Sequence, residues 1–139
     1  EIIVPEEEVP EKYYIEGDKL EKFKYLRGAK RIERTSAAGH QYIYSEGGMS
    51  ETDDLNLPGR TMLTSEATTN RSSHIVFDEQ LNAHRTITEV EAEMLQMFPP
   101  NWTNTGMTKR QRYFMMGNAL VTGILTKINK KLVEAIKKE

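Results

Sequence analysis

Five apolar residues near the C-terminus constrain the fold most. Val121, Leu125, Ile128, Leu132 and Ile136 recur at three- and four-residue spacing. That spacing puts them on one face of a helix of about five turns. A stripe of this kind is ordinarily core. Lys130, Lys131, Lys137 and Lys138 fall late in the same stretch, where cations favour the negative end of the helix dipole. Two helix starts are legible upstream. Thr88-x-x-Glu91 and Thr108-x-x-Gln111 have the form of capping boxes: the hydroxyl accepts from the amide three residues on, and the longer side chain reaches back. The first of these helices should stop near Phe98, because Pro99 and Pro100 disfavour helix in the residue before each.

The middle of the chain reads as short strands and turns. Gln41-Tyr42-Ile43-Tyr44 is aromatic and β-branched, and glycines bound it at Gly39 and Gly47-Gly48. Thr61-Met62-Leu63-Thr64 follows the turn signal Pro58-Gly59, and His74-Ile75-Val76-Phe77 is a third candidate strand. Between the last two lies a polar loop, residues 65–73. His40, His74 and His84 have no metal-ligand spacing, so no metal site is expected. His74 reads as a hydrogen-bonded structural histidine. Trp102, after Pro99-Pro100-Asn101, reads as a packing anchor for that turn.

With 139 residues, the chain fits one domain or one domain plus an appendage. Its net charge is only -2, so any nucleic-acid-binding face must be local. Such a face is available. Residues 1–18 carry seven acids against Lys12, a net of -6. Residues 19–34 carry Lys19, Lys22, Lys24, Arg27, Lys30, Arg31 and Arg34 against Glu21 and Glu33, a net of +5. That block reads as a solvated helix face, with Phe23 and Tyr25 turned inward; phosphate contact is the competing reading. There is no cysteine, which excludes disulfides and a thiolate nucleophile in this chain and fits a cytoplasmic location. No apolar run reaches membrane-spanning length. The chain begins Glu1-Ile2-Ile3-Val4, which suggests an excised piece, with residues 2–4 as the end of a strand.

Two linked segments carry a family resemblance. The first runs Arg85-Thr86-Ile87-Thr88-Glu89-Val90-Glu91, then Leu95-Gln96-Met97-Phe98-Pro99. The second runs from Tyr113 through Gly117-Asn118-Ala119-Leu120-Val121. Together they resemble the last two shared motifs of cytosine-5 DNA methyltransferases. The resemblance implies a mainly structural role for Arg85, Thr88, Glu91, Leu95, Gln96, Phe98, Pro99 and Gly117. It also implies that Asn118 and Ala119 complete a pocket for S-adenosyl-L-methionine. Many members carry Ser where this chain has Ala119, and Arg where it has Met94. Residues 59–76 are similar to the recognition core of one subset of bacterial restriction-modification methyltransferases. Arg, Asn and hydroxyl side chains suit base edges and phosphates, so Arg60, Thr64, Ser65, Asn70, Arg71 and Ser72 are the expected DNA contacts.

The family's Pro-Cys and Glu-Asn-Val catalytic motifs are absent. No catalytic residue is therefore expected, and the chain alone should be inactive. The expected fold class is α+β: a small target-recognition domain of short strands and long loops over 1–84, then helices over 85–139. The last helix is expected to dock on a doubly wound α/β catalytic domain outside this chain. The expected partners are double-stranded DNA and that catalytic domain, in the same polypeptide or in a separate subunit. A non-catalytic DNA-binding module and a transfer-RNA enzyme are the other readings.

Overall fold

The computed structural model describes residues 2–66 and 68–138. Glu1, Ala67 and Glu139 lie outside them; the sequence reading places these in the acidic block, the polar loop and the last segment. Two 3-10 turns, Glu6–Glu8 and Glu11–Tyr13, lead into β1 (Tyr14–Ile15) and α1 (Gly17–Arg27). A hairpin follows, β2 (Lys30–Thr35) and β3 (Gln41–Glu46). A long loop then leads to β4 (Ile75–Asp78) and β5 (Ala83–Thr86). Three helices close the chain: α2 (Glu89–Leu95), α3 (Lys109–Asn118) and α4 (Thr122–Ile136). Helices and strands are both present, as the α+β class requires.

The strands form two separate sheets. One is antiparallel in the order β1-β5-β4, with Tyr14 opposite Arg85 and Val76 also opposite Arg85. The other is the β2–β3 hairpin alone, in register from Lys30 opposite Glu46 to Thr35 opposite Gln41. The main core is Met62, Val76, Ile87, Ala92, Tyr113 and Met116, and Ile3, Leu95, Phe98 and Ala119 pack around it. A second cluster, Ile15, Phe23 and Ile75, seats α1 on the three-stranded sheet.

Both capping boxes form. Thr88 accepts from the Glu91 amide, and Thr108 accepts from the Gln111 amide. The helix begun at Thr88 is shorter than expected, because it ends in a Schellman motif. Met97 sits at φ 62°, the Phe98 amide donates to the Glu93 carbonyl at 2.9 Å, and the Met97 amide donates to the Met94 carbonyl at 2.8 Å. Met97 thus does what glycine usually does at this position. α4 starts directly on that end: the Thr122 amide donates to the Gln96 carbonyl, and the Thr122 hydroxyl donates to the Met97 carbonyl.

Four expectations are corrected. Residues 61–64 form no strand. Met62 alone enters the core, while the backbone of Leu63 and Thr64 lies across Gly117 of α3, so the segment faces a helix rather than a strand partner. Residues 2–4 form no strand either: Ile3 joins the core, and the Val4 amide donates to the Glu91 carboxylate. The basic block divides between α1 and β2. Phe23 is buried as expected, but Tyr25 is exposed, with the Lys30 ammonium over its ring. Trp102 is 59% exposed and does not anchor its turn. Glu93 does so instead. It is fully buried and accepts from the Trp102 and Thr103 amides, the Thr103 hydroxyl and Arg112.

Candidate nucleic-acid interface

The loop between β3 and β4 holds every residue expected to touch DNA. Its shape comes from one half-buried hub. Asp53 accepts from Arg27 at 2.9 Å, from Arg60 at 2.5 and 3.1 Å, and from the Ile75 amide at 2.8 Å. The Asp53 amide donates back to the Ile75 carbonyl at 2.7 Å, so this part of the loop is stitched to the first residue of β4. Arg27 is 1% exposed and also donates to the carbonyls of Ser50, Glu51 and Ser73. Arg60 donates to those of Ser72 and Ser73. The two guanidiniums clamp both ends of the loop onto one carboxylate.

The electrostatics follow. Burial alone would raise the Asp53 carboxyl, but hydrogen bonds from Arg60, Arg27 and the Ile75 amide outweigh it and hold it at about 2. Its folded value is thus below its unfolded value near 4, so the stabilisation is complete above that value and is lost as pH falls through about 2. The contribution is about 2 kcal/mol. The stability gap between the native chain and Asp53→Asn should therefore narrow as pH drops from about 5 to about 2. An unchanged gap in acid denaturation curves would reject this role for Asp53.

The tip of the loop is shaped by its own side chains. The Asn70 carboxamide donates to the Ser65 carbonyl at 2.9 Å and accepts from the Ser72 amide at 2.8 Å, an Asx-type turn. The Ser73 hydroxyl donates to the Thr68 carbonyl at 2.6 Å. Glu66 and His74 are both buried, and the Glu66 carboxylate accepts from the His74 amide while the other oxygen lies 3.1 Å from His74 Nδ1. His74 Nε2 lies 3.2 Å from the Arg60 carbonyl. His74 is thus a hydrogen-bonded core histidine, as its sequence context implies.

Arg71 bends back to the hairpin, with its guanidinium 2.8 Å from Glu46 and bonded to the Gly47 carbonyl. Hydrogen bonds from Tyr44 and Lys30 hold the Glu46 carboxyl down at about 2, against a smaller opposing effect of burial. Thr64 is exposed, and Ser65, Asn70, Arg71 and Ser72 are half-buried. The structure thus brings the six expected contacts into one loop. Arg60 lies at its base, with all four of its hydrogen bonds made inside the chain. The hairpin beside the loop exposes Arg31, Arg34, Tyr42 and Ile43.

The shared-motif residues lie beneath this loop. Arg85 and Glu91 form a buried two-point ion pair at 2.8 and 2.9 Å. The Gln96 carboxamide donates to the Met116 carbonyl at 2.9 Å, tying α2 to α3. Phe98 packs on the core and Pro99 is exposed just beyond it. Asn118 is exposed, its amide group bonded to the Phe114 carbonyl, and Ala119 packs against the core. Neither residue lines the large cleft beside the N-terminal segment. Sequence reasoning missed Arg27, Asp53, Glu66 and Glu93. For Arg27 a signal existed: it follows Phe23 by four residues and so shares its buried face.

The chain matches the C-5 cytosine-specific DNA methylase family over residues 3–134, and it belongs to that family. Among curated proteins it is similar to the type II methyltransferase M.Sau3AI of Staphylococcus aureus, with 51% identity over 127 residues. That match covers 91% of this chain and 30% of the relative, so the chain spans under a third of the relative's length. No solved structure gives a significant match. Among the described residues, no helix is long and apolar enough to cross a membrane.

Proposed function

We propose that this chain is the DNA-recognition part of a cytosine-5 DNA methyltransferase of the restriction-modification type. The enzyme would transfer a methyl group from S-adenosyl-L-methionine to cytosine in double-stranded DNA, in the cytoplasm. The observation that carries the reading is the self-structured loop after β3, which gathers Thr64, Ser65, Asn70, Arg71 and Ser72 above the family's shared motifs. In this reading residues 1–84 serve recognition, and residues 85–139 join that part to the catalytic domain. The division is one of role, since β5 runs across it.

The last helix supports a docking role. Ile124, Leu125, Ile128, Leu132 and Ile136 are all exposed along α4. A continuous apolar strip of this kind marks a contact surface. Its occupant is the catalytic domain, in the same polypeptide or as a separate subunit, which also supplies the nucleophile and most of the cofactor site. Asn118 and Ala119, just before α4, then close one edge of that site. Without its partner the chain is inactive.

Arg71→Ala is expected to weaken binding to the target sequence more than binding to unrelated duplexes, by about 1–3 kcal/mol for a lost base contact. Filter-binding or anisotropy titrations, with a target selected from random duplexes, measure the difference. Equal losses on both DNAs would reduce Arg71 to a phosphate contact. Failure of the unaltered chain to prefer any duplex, with and without a catalytic partner, would overturn the recognition role.

A further inference from the structure

A small pocket lies apart from the Asp53 hub, between the start of α3 and the far side of the recognition loop. Its volume is about 50 Å³. That is room for a small group, since about 10–15 Å³ of such volume holds one water, and it is far below the site of a drug-sized ligand. Lys12, Lys19 and Lys109 line it together with Thr68, Thr69 and Thr86. Two aromatic rings hold the ammonium groups in place. Lys109 Nζ lies 3.7 Å from the centre of the Tyr13 ring and 5.7 Å from that of Tyr113, and Lys12 Nζ lies 5.2 Å from Tyr13.

The lysines outnumber the acids around them and make no direct ion pair. Among the described residues, none of the three lysines has a carboxylate within 4 Å. The nearby acids are engaged elsewhere: Glu66, which also lines the pocket, with His74, and Glu89 with the Tyr13 hydroxyl. Lys109 is the first residue of α3, whose positive dipole end adds to the field. Burial draws the Lys109 ammonium below its usual range; Glu89 opposes this, and Lys12 and Lys19 add to it. Three cations converging on one small pocket, none of them in a direct ion pair and with the Thr69 hydroxyl beside them, are arranged to receive an anion.

We propose that this pocket seats one backbone phosphate of the bound DNA duplex, held by Lys12, Lys19 and Lys109 with the Thr69 hydroxyl beside it. The proposal rests on the DNA-recognition reading above. It makes the pocket an anchor that carries no sequence information and sets how the loop meets the duplex. The test is the salt dependence of affinity for a short duplex of arbitrary sequence, measured on the full chain. Replacing all three lysines by glutamine should flatten the log–log slope by about 0.9, the value of one phosphate contact. Lys109→Arg, which keeps the charge, should leave the slope intact. If losing Lys109 unfolds the chain, Lys12→Gln with Lys19→Gln reads the same slope, since both side chains are exposed.

A slope unchanged in both glutamine variants, with normal binding by the unaltered chain, would overturn the pocket and leave the recognition reading standing. No salt-dependent binding by the unaltered chain would overturn both. A free-phosphate site is distinguished by acetylation: millimolar inorganic phosphate would shield Lys109 while the DNA slope stayed the same, and that result too overturns the proposal.

Discussion

Glu91→Ala is expected to destabilise the chain by about 3–5 kcal/mol, the range for breaking a buried ion pair by removing one partner. Arg85 and Glu91 are 1% and 0% exposed, so the guanidinium stays at depth when its partner is removed. Among the described residues Arg85 Nε has no partner even in the intact pair, which leaves the guanidinium still more dependent on Glu91. The same carboxylate also accepts from the Thr88 amide at 2.6 Å and the Val4 amide at 3.1 Å. One truncation therefore strands a buried cation, removes half of the capping box of α2 and frees the Val4 amide. Urea unfolding measures the loss. A change under about 1 kcal/mol would mean that the interior accommodates a bare guanidinium, against all expectation for a charge at this depth.

Gly117→Ala should act on stability and recognition together. A methyl group there would stand 2.4 Å from the Thr64 nitrogen, 2.5 Å from the Leu63 carbonyl carbon and 2.6 Å from the Thr64 Cα. All three are backbone atoms, so no side chain can swing aside. Relief requires the loop to lift from α3, at a cost of about 1–3 kcal/mol or more. Thr64 and Ser65 move with it. Thermal unfolding should show the loss of stability, and DNA titration a loss of affinity for the target. Full affinity in a stable Gly117→Ala chain would show that the seat of the loop on α3 is irrelevant to binding.

Legibility in the sequence tracked the range of the interactions. Thr88 and Thr108 announced their helices because a capping box closes within four residues. β3 and most of β4 were visible from composition and bounding turns. β1 was invisible: two residues long, it exists only because Tyr14 and Ile15 meet Arg85 and His84 some seventy positions later. The false strand at Thr61–Thr64 has the same origin, since its β-like composition says nothing of the helix beneath it. The six proposed DNA contacts did fall in one loop. What ordered that loop lay out of reach, because Arg27 and Asp53 are joined across a hairpin, and no local pattern pairs them.

β5 has a consequence for how such proteins could exchange specificity. It is the central strand of its sheet, flanked by β1 and β4, and its last two residues, Arg85 and Thr86, already belong to the shared motif. A recombination joint at residue 84 would split that strand between two parental sequences. Each hybrid would need both halves to agree on register, or β1 and β4 would lose their common neighbour. Two joints, one just after Glu46 and one just before Ile75, would carry the loop alone and leave every strand with its native partner, with Arg27 left to find an acid in the incoming loop.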